Sequence, residues 1–288
     1  MNIDITTLFV CLDDFCQLYE SSVKSKSLPS NKTRQRQGYL SLSEIMFIEV
    51  LYHFSGYKNF KYYYLHDILG KYRNEFDKLP CYNRFVRLKK QLFMPMTLLL
   101  QSLKGEETGL YFADSTPLKV CHNKRINNHK VFYGLAKRGK STMGWFYGFK
   151  LHLIINHKGQ IMAVKITPGN TDDRPALQDM AKGLMGKCYA DKGYIGKDLF
   201  KKLWDQGLHL ITGIKRNMKN YLMPIVDKAC LRKRFIIETI FGVMKTDFNL
   251  EHSRHRSTTN AFVNLLACLI AYSYKTNKPK IRAFLIQN

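Results

Sequence analysis

Hydrophobic and polar positions change their period partway along the chain. Over the first 105 residues apolar side chains recur at helical spacing, beginning with Ile5 to Tyr19. Ser41-Leu-Ser-Glu44, ahead of Ile45, Met46, Ile48 and Leu51, has the spacing at which a serine hydroxyl and a glutamate carboxylate satisfy the first free N–H groups of a helix. Aromatic-rich helical spacing continues through Tyr62–Leu69, and a further helix is predicted over Pro80–Leu92. A polar linker lies between Ser21 and Ser43, with Lys24, Lys26, Lys32, Arg34 and Arg36 and no acid. After Gly105 the pattern becomes that of strands. Gly109–Thr116 is a short apolar run ending in an acid. In Trp145–Asn156, Phe149, Leu151 and Leu153 alternate with Lys150 and His152. The Lys158-Gly159 turn joins this run to Gln160–Thr167 as a hairpin.

Asp172-Asp173 ahead of Pro175 opens a helix. A strand over Lys187–Asp191, a helix over Lys197–Asp205, a strand over Leu208–Ile214 and a long helix over Ala229–Thr246 follow. The order β-β-β-α-β-α-β-α predicts a ribonuclease-H-like α/β fold, a mixed sheet flanked by helices. The hairpin between Trp145 and Thr167 argues against a doubly wound parallel sheet. An all-helical N-terminal domain over 1–105 would precede this unit over 106–288. The apolar Asn260–Tyr274 helix closes the core, with a dimer contact as the alternative.

Charge narrows the partner. The 46 Lys and Arg against 22 Asp and Glu give +24, spread over residues 1–105, 106–228 and 229–288. A content of 45% hydrophobic and 13% aromatic residues excludes a disordered basic tail. Nucleic acid is therefore the default partner. No apolar stretch approaches the ~20 residues that cross a bilayer, and no basic amphipathic helix or positively charged leader is evident, so no membrane is expected and the cytoplasm, with the nucleoid, is the expected location. The seven cysteines lack CxxC spacing and read as reduced thiols. Cys121-His122 with His129 resembles a zinc cluster only loosely, without a fourth ligand.

The chemistry rests on the acids. Asp114 is expected at the end of the first strand, Asp191 at the end of the fourth, and Glu238 within the long helix. Strand ends and adjoining helices are where α/β folds gather functional groups. Brought together, three carboxylates raise one another's pKa unless a cation neutralises them. Two Mg²⁺ ions about 3.5–4 Å apart, with Mn²⁺ as a substitute, would do so and organise phosphoryl transfer. The plain alternative is two capping aspartates and one exposed glutamate. Arg234, Glu238 and Lys245 fall on one helical face, either phosphate-holding cations around a carboxylate or a simple salt-bridge stripe. Lys150 and His152 share a strand face, toward the site or toward solvent, and Asp173 is expected as a helix N-cap. Candidate DNA contacts are Lys137, Arg138 and Lys140 in the basic Lys124–Lys140 loop, Arg254 and Arg256 after the long helix, and Arg84 and Arg87. The last two lie on a helix that would read a groove in a helix-turn-helix, or would simply present a solvated face.

Ala113-Asp114-Ser-Thr116, Trp145–His152, Pro168–Asp173, Asp191-Lys-Gly-Tyr194 and Arg234-x3-Glu238-x6-Lys245 together resemble bacterial insertion-sequence transposases of the DDE superfamily. The resemblance covers about residues 106–260. Many relatives carry Tyr three residues before the Arg, where this chain has Leu231. The resemblance implies that Asp114, Asp191 and Glu238 hold two Mg²⁺ ions. It also implies that Arg234 and Lys245 position phosphates, and that a homodimer on double-stranded DNA cleaves element ends and transfers the freed 3′-OH to target DNA. A related nuclease without strand transfer, or a non-catalytic DNA-binding relic, is the rival reading.

Overall fold

The computed structural model describes residues 4–26, 38–219, 222–251 and 255–281. It forms two compact units: Met1–Leu103 with Met244–Leu250 and His255–Thr276, and Lys104–Val243 with Glu251–Arg254 and Asn277–Asn288.

The first unit is helical. Its elements are α1 (Ile5–Lys26), α2 (Leu42–Tyr52), the single turn α3 (Phe60–Tyr63) running into a π-helical segment Tyr64–Lys71, α4 (Tyr82–Leu88) and α5 (Phe93–Ser102). The helix begun at Ile5 extends through Lys24 and Lys26, and the rest of the basic linker, with Lys32, Arg34 and Arg36, lies outside the described residues. The Ser41–Glu44 capping box forms as expected: Glu44 N–H donates to Ser41 Oγ at 3.1 Å and Ser41 N–H to the Glu44 carboxylate at 2.6 Å. Phe60 and Phe85 stack at 5.7 Å, and Tyr64 tilts onto Phe85 at 4.8 Å, so aromatic surface supplies much of this core. The last described helix, Thr258–Tyr274, is buried along most of its length and belongs to this unit, packing on α5 and α2.

The helix expected over Pro80–Leu92 is shorter. α4 has seven residues and tightens into a 3₁₀ turn, Lys89–Leu92, before α5. Arg84 and Arg87 are exposed on it. Lys89 is not: its ammonium is buried, donates to Glu49 at 2.6 Å and sits 4.5 Å over the Phe60 ring.

The second unit carries the sheet: β1 (Leu110–Cys121), β2 (Lys137–Ser141), β3 (Gly144–Asn156), β4 (Ile161–Pro168), β5 (Gly186–Ala190) and β6 (Leu208–Thr212). β2 and β4 both pair antiparallel with β3, which pairs antiparallel with β1; β5 and β6 run parallel beyond β1. This is the ribonuclease-H-like order. α6 (Asp173–Met180) and α7 (Lys197–Asp205) bury Leu177, Leu199 and Leu203 in a core with Tyr111, Ala113, Ile154, Leu208 and Leu210. α8 (Ile225–Arg232) and α9 (Phe235–Thr246) complete the element order, α9 carrying the chain into the first unit.

Three expectations change here. β1 continues seven residues past Asp114, because its pairing with β3 runs on to Cys121 through the polar Ser115-Thr116-Pro117 stretch that reads as an ending. β2 replaces part of the expected Lys124–Lys140 loop. Its sequence Lys-Arg-Gly-Lys-Ser lacks apolar alternation, and it pairs because Gly139 lies against Gly169, whose carbonyl oxygen would stand 2.1 Å from any added Cβ. The single helix expected over Ala229–Thr246 is two, broken at Lys233-Arg234 without a proline or glycine to mark it. No helix among the described residues is long and apolar enough to cross a membrane.

Candidate active site

Sheet register brings the first two acids together. β1 and β5 pair in parallel up to Phe112↔Tyr189, and the residues two further along each strand line are Asp114 and Asp191. Asp114 is held mid-strand by its partner Leu153 on β3, while Asp191 stands one residue past the end of β5. Asp114 therefore sits where the parallel side of the sheet has just opened.

Glu238 comes from the first turn of α9, and Arg234 from the break just before it. That break turns the guanidinium toward all three carboxylates: 3.9 Å to Asp114, 3.6 Å to Asp191 and 3.8 Å to Glu238. Asp114 and Arg234 are mostly enclosed, whereas Asp191 and Glu238 are about half exposed. Burial pushes the Asp114 carboxyl up to about 6; the Ser115 N–H and Arg234 oppose this, and Asp191 and Glu238 reinforce it. The Ser115 N–H donates to Asp114 Oδ1 at 2.8 Å, fixing the carboxylate on its strand.

Among the described residues no group of three or more His, Cys, Asp or Glu side chains is gathered closely enough to hold a metal ion. A guanidinium instead stands among Asp114, Asp191 and Glu238. Their all-oxygen donor set and excess negative charge suit a hard divalent cation. The donor chemistry fits; the spacing is that of carboxylates arranged around Arg234.

The remaining expected residues fall into separate places. Lys150 and His152 do share a strand face, since Ser115↔His152 and Pro117↔Lys150 pair on the side opposite Asp114↔Leu153. Lys150 donates to Asp173 and to the Thr171 carbonyl, both at 2.8 Å. His152 is fully buried, with Nε2 bonded to the Thr167 hydroxyl at 2.8 Å and Nδ1 3.8 Å from Asp173. A side chain without exposed surface cannot meet DNA, so His152 leaves the DNA-facing set. Asp172 rather than Asp173 caps α6, accepting from the Arg174 N–H at 3.0 Å. Lys245 lies on α9 seven residues past Glu238, half-buried, and Arg256 is exposed. Lys137, Arg138 and Lys140 are exposed on β2. Arg254 lies outside the described residues. Cys121, His122 and His129 do not converge: His122 caps a 3₁₀ turn by accepting from the Lys124 N–H at 3.3 Å, and His129 stacks on Phe132 at 5.6 Å.

Tyr194 is not distinguished by type or spacing beyond its place in Asp191-Lys-Gly-Tyr194. It is buried, and burial, then the Asp114 and Asp173 charges, hold its phenol well above the ordinary range. It belongs to the apolar core with Ala113 and Leu177. No charge pattern could have found it.

The sheet has the ribonuclease-H-like strand order, and Asp114, Asp191 and Glu238 meet around Arg234 at its opened parallel side. A family profile described as Transposase DDE domain matches residues 104–258, more than half of the chain, and the chain belongs to that family. A Brucella ovis protein assigned to transposition of insertion sequence element IS6501 is 28% identical over 127 residues, 43% of this chain and 96% of that one. Among solved structures, the piggyBac transposase synaptic complex with hairpin DNA aligns at a TM-score of 0.48 and 7% identity, covering 95% of this chain and 75% of that one. The pre-cleavage Mos1 transpososome aligns at 0.22 and 11% identity, over 95% and 96%.

Proposed function

We propose that this transposase-family chain binds the ends of an insertion sequence and cleaves and rejoins phosphodiesters there in a divalent-metal-dependent reaction, with Asp114, Asp191 and Glu238 as the catalytic, metal-holding carboxylates. The observation that carries the reading is the convergence of these three acids, from β1, the end of β5 and α9, on the single guanidinium of Arg234. Two Mg²⁺ ions, or Mn²⁺, would supply Lewis acidity and an activated water there.

The chain's own residues divide the remaining work. The Ser115 N–H holds the Asp114 carboxylate in one orientation on a strand paired to β3. Arg234, placed within reach of all three acids, is the group that would grip a scissile phosphate by charge-assisted hydrogen bonds. Lys245 extends that grip along α9. Lys137, Arg138, Lys140, Arg254 and Arg256, with Arg84 and Arg87 on the helical unit, supply backbone contacts that fix register without reading sequence. Lys150, engaged with Asp173, serves α6 more than DNA. The helical unit is assigned to end recognition, and two protomers are assigned to the paired ends.

The test incubates the full chain with linear DNA carrying the element ends and Mg²⁺, beside Asp114→Asn, Asp191→Asn and Glu238→Gln. Wild type should nick the ends and join the 3′-OH to target DNA. Each variant should lose roughly 10²–10³-fold in cleavage, the scale seen when one charge-stabilising group is removed, while retaining DNA binding. Cleavage that survives the three substitutions sinks the assignment; cleavage without joining points to a nuclease.

A further inference from the structure

The β2–β3 hairpin does more than add cations to the sheet. Two residues, Thr142 and Met143, connect Ser141 to its pairing partner Gly144, and Gly144 takes φ 101°, the left-handed position that closes a bulged hairpin and that a side chain would resist. The stem is rigid for a second reason: Gly139 lies so close to Gly169 that no side chain fits between them. Asn123 also ties the stem down, donating to the Trp145 carbonyl at 2.8 Å.

The rigid stem carries an unusual outer surface. Met143, at the tip, is 87% exposed, and Trp145 is 53% exposed. Arg138 lies over the Trp145 ring at 5.0 Å and Lys140 at 5.9 Å. Lys140 and Trp145 are directly paired and Arg138 is diagonal to Trp145, so all three share one face. No Asp or Glu occurs between Asp114 and Asp172.

We propose that this hairpin is a DNA-distorting wedge: Met143 enters between adjacent base pairs, Trp145 with its bound cations takes the face of the base that is unstacked, and Lys137, Arg138 and Lys140 grip the flanking phosphates. The inference rests on the DNA-binding reading above and adds a duplex geometry to it. Phosphate contact alone gives no use for an exposed methionine at the tip, whereas apolar wedges flanked by cations are how proteins kink a duplex. A protein partner is disfavoured because interface centres are depleted of lysine.

A wedge prefers DNA that is already poorly stacked, since unstacking costs a few kcal/mol and least at a mismatch. The probes are two labelled 30-bp duplexes, about the length of three helical turns, identical except for a central T·T mispair beside 2-aminopurine. Wild-type full-length protein should bind the mispaired duplex roughly 10-fold tighter, the equivalent of ~1.4 kcal/mol, with a rise in 2-aminopurine fluorescence. Met143→Ser and Trp145→Ala, both at exposed positions, should abolish the preference and the fluorescence rise while leaving matched-duplex affinity within about 2-fold, a free-energy change of a few tenths of a kcal/mol. The Lys137→Gln/Arg138→Gln/Lys140→Gln triple variant should weaken both duplexes alike and flatten the salt dependence, by roughly 0.9 in slope for each phosphate that is no longer neutralised. Binding without preference overturns the wedge alone, as does equal weakening on both duplexes in Met143→Ser. Failure of wild type to bind either duplex overturns the DNA-binding reading as well. Loss of a protein dimer in Met143→Ser, seen by sedimentation, also overturns the wedge in favour of a second copy of the chain.

Discussion

Arg234 sits where a cation is needed, and its removal has a calculable consequence. Unit charges about 4 Å apart attract by ~4 kcal/mol at an effective dielectric of about 20. The guanidinium makes three such approaches, at 3.9, 3.6 and 3.8 Å. The gross figure must be discounted. Asp191 and Glu238 are 54% and 49% exposed, and pairs of that kind contribute at most ~1 kcal/mol each. Asp114 is more enclosed and contributes somewhat more, against the desolvation of Arg234 itself. The net hold is on the order of 2–3 kcal/mol. Arg234→Gln should therefore lower unfolding free energy by about 2 kcal/mol in chelator, because three carboxylates are left to repel one another.

Added metal should reverse the order. In wild type a divalent cation must displace or share with the guanidinium, whereas in the variant it does not. Mn²⁺ should then stabilise Arg234→Gln more than wild type, by ~1.4 kcal/mol, or roughly 10-fold in apparent affinity. Urea melts followed by circular dichroism, with chelator and with excess Mn²⁺, read both effects without any DNA. Arg234→Lys, which keeps the charge, should behave like wild type in chelator. Equal stability of Arg234→Gln and wild type in chelator would refute the reasoning, as would a larger Mn²⁺ effect on wild type.

Three further outcomes are expected. Burial, opposed by Asp173 and reinforced by Lys150 and Lys165, depresses His152 to about 4; the unfolded chain thus binds a proton that the folded chain refuses, and stability present above pH 6.5 should be lost as pH falls toward 4, by up to roughly 3 kcal/mol. His152→Gln should remove that part of the slope in denaturant melts taken across the interval, and an unchanged slope contradicts the burial argument. Lys89→Met should cost about 3–5 kcal/mol by stranding the Glu49 carboxylate, and Lys89→Met/Glu49→Leu should recover most of it, as expected of a buried pair; a measured DNA salt slope that drops in Lys89→Met would show that this lysine meets phosphate after all. Asp191→Glu should retain measurable Mn²⁺ binding by calorimetry while Asp114→Glu does not, because only Asp191 stands outside the strand ladder with room for another methylene; equal loss at both positions would deny that difference.

How much of this is legible in the sequence depends on whether a signal is local. The Ser41–Glu44 capping box and the Lys158-Gly159 turn are readable because each is a short-range hydrogen-bonding pattern, and Gly159 indeed takes φ 74°. The β-β-β-α-β-α-β-α order is readable because apolar periodicity survives in each element. β2 is not, since its pairing depends on Gly169, thirty residues beyond Gly139, and on cross-strand partners rather than on alternation. The break before Arg234 has no proline or glycine to announce it. Lys89 and His152 look like surface cations in any window; their burial is set by Glu49 and by the Thr167–Asp173 wall, which periodicity does not reveal. The three acids are found by spacing, yet Asp114 does not end its strand, which runs on for seven more residues.

That displacement matters for how the site works. An aspartate at a strand end could follow its ligand, but Asp114 is locked between a β3 neighbour and the Ser115 N–H. Asp191 follows β5 into a 3₁₀ turn, and Glu238 lies in the opening turn of α9, which begins one residue after Arg234. In the proposed metal-holding role, one strand-held acid and two exposed ones would close on a cation from the side of Asp191 and Glu238. That pair is 54% and 49% exposed, against 21% for Asp114. Such closing would desolvate Asp191 and Glu238 rather than Asp114, whose desolvation is already built into the fold and raises its pKa. The same asymmetry explains why a single arginine can hold the arrangement open. Its contact with the fixed acid is the more enclosed one, at 3.9 Å, and its contacts with Asp191 and Glu238, at 3.6 and 3.8 Å, are screened by water.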